Sequence, residues 1–396
     1  MRPHLEAFTI PKLTRLQSLV GKQVNAIETP ALVIDADALN RNMQRMVEFA
    51  TKHRIRLRPH AKAHKSGDIA HLQLQAGAVG ICVQTVGEAE ALAARGVNDI
   101  FISNQVLCPS KLRRVAALAN QMALRGGKLA LAVDSALAVE RLDKAMMLTP
   151  KPIDVLVEID VGQNRCGMAP DDAMVALVKR IVARAAVMRF AGLHAYHGSA
   201  QHMRSVPERR TAIAFAASQV RHALALLRQE GIEAPLVTGA GTGSFSQETS
   251  SGVWDEIQPG SFIFMDADYA RNERDPAQPL FEQSLFVKTQ VISAHSHHVV
   301  IDAGTKSLAL DCGPPLVHSL PGQSAMVYAA AGDEHGILRL AGSIGSQPLP
   351  EPGETVWLIP GHCDPTVNLY DVMFGVRGTL TDGVVQSLVW VDGRGY

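Results

Sequence analysis

The chain has 396 residues, 47% of them hydrophobic, and a formal net charge of zero at pH 7, so two domains with sizeable cores are expected. No block of like charge suggests a nucleic-acid or anionic membrane partner, and no apolar run approaches the roughly 20 residues that span a bilayer. Residues 1–21 lack the apolar stretch of a signal peptide, and five cysteines without framework spacing favour a reducing cytoplasm.

The first predicted elements are a strand at 31–35 and a helix at 40–53. From about residue 55 to 266, short apolar runs alternate with longer stretches of helical composition. The eight runs are 55–60, 79–84, 99–104, 128–134, 153–161, 189–196, 235–239 and 262–266. Eight such runs, each followed by a connection, predict a (β/α)8 barrel of the TIM type, whose chemistry lies at the C-terminal ends of the strands. An open doubly wound sheet is the alternative.

After about residue 275 the composition becomes strand-like, with Gly, Pro and Asp at the breaks. The predicted strands cover 286–293, 298–303, 325–331, 355–359 and 372–391. The last is long enough for two strands, and its Thr381-Asp-Gly-Val384 segment is typical of a hairpin turn. The chain is therefore predicted to consist of a barrel at 36–272 and a mostly antiparallel β domain formed by 1–35 and 273–396.

A basic cluster, Arg58-Pro-His-Ala-Lys-Ala-His-Lys65, ends the first predicted barrel strand. A lysine at the catalytic end of a strand can form a Schiff base with a carbonyl cofactor. Lys62 and Lys65 compete for this role, and Lys62 is nearer the strand. The alternative is a solvated basic loop.

A glycine-rich segment, Thr238-Gly-Ala-Gly-Thr-Gly-Ser244, follows the seventh predicted strand, where barrels commonly bind a phosphate. Glycines allow backbone N–H groups to approach an anion, and hydroxyls add donors. The segment lacks the lysine of a Walker loop and does not open the chain's first βαβ unit, as a dinucleotide fingerprint would. The predicted phosphate ligands are Thr238, Gly241, Thr242 and Gly243, with Gly260 and Ser261 placed before the eighth strand.

The segment Pro360-Gly-His-Cys-Asp-Pro-Thr366 follows a predicted strand. If the extended geometry continues, His362 and Asp364 point to one side and Cys363 to the other. This nitrogen and oxygen pair suits Mn²⁺, Mg²⁺, Co²⁺ or Zn²⁺. The alternative is a polar turn capped by the aspartate.

Two further polar segments end predicted strands 5 and 6. In the first, Arg165 can hydrogen-bond an oxygen of a cofactor or substrate, or form a structural ion pair. The second presents Tyr196, His197 and His202 as acid–base candidates, although single histidines are often packing or surface residues.

Together these segments resemble the fold-type III pyridoxal-phosphate enzymes, in the group of D-threonine aldolases and eukaryotic-type D-serine dehydratases. The resemblance covers nearly the whole chain from Glu28. It implies that Lys62 carries the cofactor, that residues 238–244 bind its phosphate, and that Arg165 supports its phenolic oxygen while Tyr196 contacts its ring. The family more often has glycine where Ala240 stands, a change expected to be mild. Asp333-Glu-His-Gly336 also resembles a family segment of open role.

The metal segment separates members of this group. Dehydratases tend to show His-x-Cys, whereas D-threonine aldolases show His-x-Asp, as His362 and Asp364 do here. The resemblance therefore implies an aldolase that cleaves the Cα–Cβ bond of a D-β-hydroxy amino acid of the D-threonine or D-allo-threonine type. It also implies His202 as general base, with His197 as the second candidate, Mn²⁺ as the first-choice metal, and a homodimer.

Four alternatives stay open. A D-serine or 3-hydroxy-D-aspartate dehydratase and a 3-hydroxy-D-aspartate aldolase belong to the same group. An amino-acid racemase would share the two-domain layout without needing the His-x-Asp segment. A cofactor-carrying protein would resemble the barrel alone, and the C-terminal β domain argues against it.

Overall fold

The computed structural model describes residues 13–147, 149, 151–319, 325–342 and 348–396. Residues 1–12, on which part of the predicted β domain and of the signal-peptide prediction falls, lie outside these ranges. The chain divides into two compact units. The barrel unit comprises residues 44–262, 271–280 and 395–396, and the β unit comprises the described residues of 1–43, 263–270 and 281–394.

The barrel unit is built on eight parallel strands. They are β2 (Arg56–Leu57), β3 (Ile81–Val83), β4 (Asp99–Ile102), β5 (Lys128–Val133), β6 (Ile153–Glu158), β7 (Met188–Ala195), β8 (Val237–Gly239) and β9 (Glu256–Ile257). Their order is β2-β9-β8-β7-β6-β5-β4-β3, and a parallel bridge between His60 and Cys82 closes the ring. The predicted (β/α)8 barrel is therefore confirmed.

Helices connect these strands. Those within the barrel unit are Gly67–Gln75, Val86–Ala94, Pro109–Leu124, Ala136–Met146, Asp172–Val182, Val206–Gln229 and Phe245–Ser251. Helix Val86–Ala94 begins at a capping box, in which the Thr85 side chain accepts from the backbone of Glu88 and the Glu88 side chain accepts from the backbone of Thr85. Such local signals let each strand end at a defined residue, because the next helix can begin only where its first N–H groups are satisfied.

The eighth barrel strand differs from the prediction. The apolar run at 262–266 is not a strand, since Ser261–Ile263 form a 3-10 helix, and β9 (Glu256–Ile257) completes the barrel instead. Gly260 and Ser261 therefore follow the eighth strand and do not precede it. The prediction failed because β9 is two residues long and contains the fully buried Glu256, so it has no apolar run to recognise.

The β unit contains a nine-stranded mixed sheet of order β11-β14-β13-β12-β15-β10-β1-β16-β17. Its strands are β1 (Ala31–Asp35), β10 (Leu285–Ala294), β11 (Val299–Ile301), β12 (Leu316–His318), β13 (Met326–Ala330), β14 (Gly336–Leu340), β15 (Thr355–Ile359), β16 (Val372–Arg377) and β17 (Val384–Trp390). Strand β1 pairs antiparallel with β10 and parallel with β16. The mostly antiparallel β domain is confirmed, with the predicted hairpin between β16 and β17. Strands β12 and β14 were not predicted.

Three α-helices lie wholly or partly in this unit. The helices Ala36–His53, Ala267–Ala270 and Cys363–Val367 join its strands or lead out of it. Its core includes Trp357 on β15, Phe286 on β10 and Phe374 on β16. Among the described residues, no helix is both long and apolar enough to cross a membrane.

Candidate functional site

Lys62 lies at the carboxyl end of β2, at the centre of the 3-10 helix Ala61–Ala63, and is half-buried. Its backbone N–H donates to Nδ1 of His60 over 3.3 Å. The other ring nitrogen of His60 lies 3.0 Å from the Gln84 amide and 3.2 Å from Ser103 Oγ. The buried His60 ring therefore anchors the turn that presents Lys62.

Lys65, the competing lysine, is buried in a structural contact. Its ammonium lies 3.0 Å from Oε1 of the buried Glu88 and also donates to the backbone carbonyl of Tyr396. The Lys65 side chain is therefore engaged in a buried ion pair inside the barrel unit. The contacts favour Lys62 for covalent chemistry.

The glycine-rich loop turns sharply after β8. The N–H groups of Ser244 and Phe245 both donate to the carbonyl of Gly241, at 3.2 and 3.0 Å. Gly241 and Thr242 are buried, and among the described residues no acceptor is found for their backbone N–H groups. Buried donors require acceptors, so an anion at this loop is chemically reasonable and a phosphate group fits it.

The hydroxyls near this loop have different roles. Thr242 Oγ1 accepts from the N–H of Phe262 over 3.1 Å, which joins the loop to the turn that contains buried Ser261. A Cβ at Gly260 would lie 2.7 Å from the His60 carbonyl, so the turn passes close to the segment carrying Lys62. Thr238 differs from the expectation, because its hydroxyl donates to Glu256 over 2.9 Å inside the barrel. This contact does not favour Thr238 as a phosphate ligand.

The remaining predicted residues of the barrel unit follow β6 and β7. The Arg165 guanidinium carbon lies 5.7 Å from the centre of the Tyr196 ring, a cation–π arrangement. His197 is buried with Nδ1 3.2 Å from Ser199 Oγ, whereas His202 is exposed at the end of the 3-10 helix Ser199–His202. Burial lowers the pKa of His197, and nearby Asp160 only partly opposes the effect.

These residues follow the carboxyl ends of parallel strands β2, β6, β7, β8 and β9, so they share one end of the barrel. That is the end at which barrel enzymes carry their chemistry.

In the β unit, His362 and Asp364 lie beside one another. His362 Nε2 is 3.9 Å from Asp364 Oδ1, and both side chains are partly buried. Two ligand atoms that each lie about 2.1 Å from one ion can be at most about 4.2 Å apart, so the pair fits a shared divalent metal. The reason given from sequence was wrong, however, because the extended geometry ends at His362 and helix Cys363–Val367 begins at the next residue.

The opposite side of the His362 ring faces a residue that sequence reasoning missed. Nδ1 lies 3.0 Å from Asp311 Oδ2 and 3.4 Å from Cys312 Sγ. Metal-binding histidines usually donate their other ring N–H to a carboxylate, so Asp311 adds to the fit for a metal at Nε2. No sequence signal links Asp311 to a histidine 51 residues away.

Negative charge dominates around this ring. Burial lowers the pKa of His362, but Asp364, Asp311 and Asp266 outweigh it and raise the pKa above its usual value. The same surroundings raise the pKa of Cys312 to about 12, first through burial and then through Asp311. A surplus of carboxylates around one histidine is the electrostatic setting expected of a cation site.

The segment Asp333-Glu-His-Gly336 lies at the turn between β13 and β14 and ends at Gly336, the first residue of β14. Lys306 pairs with Asp333 at 3.4 Å and with Glu334 at 2.6 Å. The N–H of Thr305 donates to the Gly332 carbonyl over 3.2 Å. These contacts fasten the turn to the loop at 304–307.

Comparisons with known proteins agree with this arrangement. Residues 34–268 match the family model "Alanine racemase, N-terminal domain", and a serine dehydratase domain model matches 284–376. The chain is 43% identical to a D-threonine aldolase of Arthrobacter sp over 95% of both chains, and 36% identical to a 3-hydroxy-D-aspartate aldolase of Paracoccus denitrificans over 96% of this chain and 95% of that one. The crystal structure of D-threonine aldolase from Filomicrobium marinum matches with a TM-score of 0.88 and 43% identity, covering 95% of this chain and 98% of the other.

The family model spans more than half of the chain, and the curated relatives align with both units. The chain belongs to the alanine racemase N-terminal domain family of fold-type III enzymes, in its D-threonine aldolase and D-serine dehydratase group.

Proposed function

We propose that this protein is a carbon–carbon lyase that uses pyridoxal 5'-phosphate and a divalent metal to cleave D-β-hydroxy amino acids of the D-threonine type to glycine and an aldehyde. The observation that carries the proposal is the His362–Asp364 pair, 3.9 Å apart, in a chain 43% identical to a D-threonine aldolase. A homodimer in the cytoplasm is part of the proposal and rests on the family resemblance and on the five cysteines, whose spacing in the sequence is not that of a disulfide framework.

The barrel unit would hold the cofactor. Lys62 would attach it covalently, the N–H groups of Gly241 and Thr242 would bind its phosphate, and Arg165 and Tyr196 would support its ring. When bound, pyridoxal phosphate supplies a sink for the electron pair left on Cα after the bond breaks.

The β unit would hold the metal through His362 Nε2 and Asp364. When bound, the ion supplies Lewis acidity that lowers the pKa of the substrate β-hydroxyl. Mn²⁺ is the first choice, and Mg²⁺, Co²⁺ and Zn²⁺ suit the same ligand atoms.

A histidine would remove the β-hydroxyl proton. His202 is proposed for this role, and its exposed position leaves it accessible to solvent for proton exchange. His197 is the second candidate, since its lowered pKa keeps the ring neutral and able to accept a proton near pH 7.

The decisive experiment supplies the purified protein with pyridoxal phosphate, Mn²⁺ and D-threonine and identifies the products. Glycine with acetaldehyde is the expected result. Ammonia with 2-oxobutyrate would overturn the aldolase in favour of a dehydratase. The 36% identity to a 3-hydroxy-D-aspartate aldolase makes 3-hydroxy-D-aspartate the second substrate, for which glycine and glyoxylate would be the products.

A further inference from the structure

The glycine-rich loop and the histidine segment of the barrel unit meet at one side chain, that of Gln201. Gln201 is fully buried. Its Oε1 accepts from the N–H of Gly243 over 2.8 Å, while its Nε2 donates to Ser244 Oγ over 2.7 Å and to the His197 carbonyl over 3.1 Å. One amide thus satisfies groups on both segments.

Two glycines of the loop lie so close to Gln201 that a side chain at either position would collide with it. A Cβ on Gly241 would lie 2.5 Å from Gln201 Oε1, and a Cβ on Gly243 would lie 2.6 Å from the Gln201 carbonyl oxygen. Neither glycine has a positive φ, so backbone conformation does not demand glycine at these positions. Their close approach to Gln201 is what requires glycine.

The contact is supported on both sides. Ser244 Oγ donates onward to Oε1 of the buried Glu248 over 2.7 Å. The Asn272 side chain donates to the Gln201 carbonyl over 2.8 Å, and Arg204 in turn donates to Asn272 over 2.7 Å. The amide is therefore held in one orientation, because a flipped amide would set its NH₂ group against the N–H of Gly243.

We infer that Gln201 is a positioning residue that couples the phosphate-binding loop to the segment 197–202, so that one side chain positions both the loop that would bind the cofactor phosphate and the backbone of the segment that carries His197 and His202. This inference rests on the proposed function for the identity of the cofactor. It predicts that loss of the amide loosens two segments that are 35 or more residues apart in sequence.

The test compares Gln201→Leu with Gln247→Leu. Gln247 is also buried in the barrel unit, but its amide donates to Asp275 over 2.9 Å. Each variant loses one buried amide, so both are expected to lower the melting temperature. Gln201→Leu should weaken the binding of pyridoxal phosphate to the apoprotein by about 10-fold or more, whereas Gln247→Leu should leave it within about two-fold.

Hydrogen–deuterium exchange of the apoproteins supplies a readout that needs neither cofactor nor substrate. Gln201→Leu should speed exchange in both 196–204 and 239–246, and Gln247→Leu should not speed both. Faster exchange in only one segment, or unchanged cofactor affinity in a protein that binds the cofactor, would overturn the inference. Wild-type protein that binds pyridoxal phosphate without cleaving D-threonine would contradict the proposed function and leave this inference unaffected.

Discussion

His362 and Asp311 form a hydrogen bond of 3.0 Å between ring Nδ1 and carboxylate Oδ2, on the side of the ring opposite Asp364. This bond fixes which nitrogen carries the proton and leaves Nε2 as the donor for a metal. The substitution Asp311→Asn should weaken Mn²⁺ binding about 10- to 100-fold, because the amide orients the ring less well. Titration of the protein with Mn²⁺, followed by electron paramagnetic resonance, measures the change. Asp382→Asn, in an exposed turn of the same unit, should bind Mn²⁺ as the wild type does.

His362→Ala should abolish cleavage while the absorbance of the bound cofactor remains, because it removes a ligand held in the β unit and leaves Lys62 untouched. Activity assays and visible spectra of the same sample test this expectation. The exposed His295 provides a control, since His295→Ala should retain full activity. Substantial turnover by His362→Ala would contradict the metal assignment.

Substitutions of Lys62 and Lys65, the two lysines that follow β2, should have different effects. Lys62→Ala should lose the absorbance of covalently attached cofactor with little change in the stability of the apoprotein. Lys65→Met should instead lower the free energy of unfolding by about 3 kcal/mol, because Glu88 is left buried without its cation. Urea unfolding of the apoproteins and cofactor spectra distinguish the variants. Substitution of the exposed Lys128 serves as the control. Loss of the cofactor absorbance in Lys65→Met, together with loss of stability in Lys62→Ala, would assign the cofactor to Lys65.

Ala240, where the family more often has glycine, has a φ of 68°. Alanine in this left-handed region costs about 1–2 kcal/mol, of which the greater freedom of glycine in the unfolded chain offsets about 0.5–1 kcal/mol. An effect of this size agrees with the expectation of a mild change, and Ala240→Gly should stabilise the protein by about 0.5–1 kcal/mol. Thermal unfolding measures the gain. Ala130→Gly, at a strand position without positive φ, should destabilise it.

Glu248 should make stability depend on pH. Burial raises its pKa to about 7, although the hydrogen bond from Ser244 opposes the shift. A raised carboxyl pKa means that the folded state holds a proton that the unfolded state releases. The contribution of Glu248 to the free energy of unfolding is therefore fully present below about pH 4.5 and is lost as the pH rises to about 7. Glu248→Gln keeps the neutral side chain and lacks this dependence. Urea unfolding at pH 5, 6, 7 and 8 measures the free energy of unfolding of both proteins. The value for the variant should rise relative to that of the wild type up to about pH 7. A difference that stays constant with pH would contradict the raised pKa.

Much of the fold was predictable from local patterns. The alternation of apolar runs and helical stretches predicted the barrel, and the Asp-Gly turn predicted the hairpin of β16 and β17, because periodicity and turn chemistry act over a few residues. Strand β9 was not predicted, because these patterns act over only a few residues. Its two residues become a strand only through pairing with β2 and β8, whose registers are set across the barrel.

The candidate site divides in the same way. The sequence by itself determined that Lys62 would follow a strand, that a glycine-rich loop would follow another, and that a histidine and an aspartate would stand two residues apart. Only the tertiary structure decided that Lys65 pairs with Glu88, that Asp311 lies against His362, and that Gln201 joins the loop to the histidine segment. Each of these contacts joins residues more than 20 positions apart, and their meeting depends on strand order and register, which no short pattern of residue types encodes.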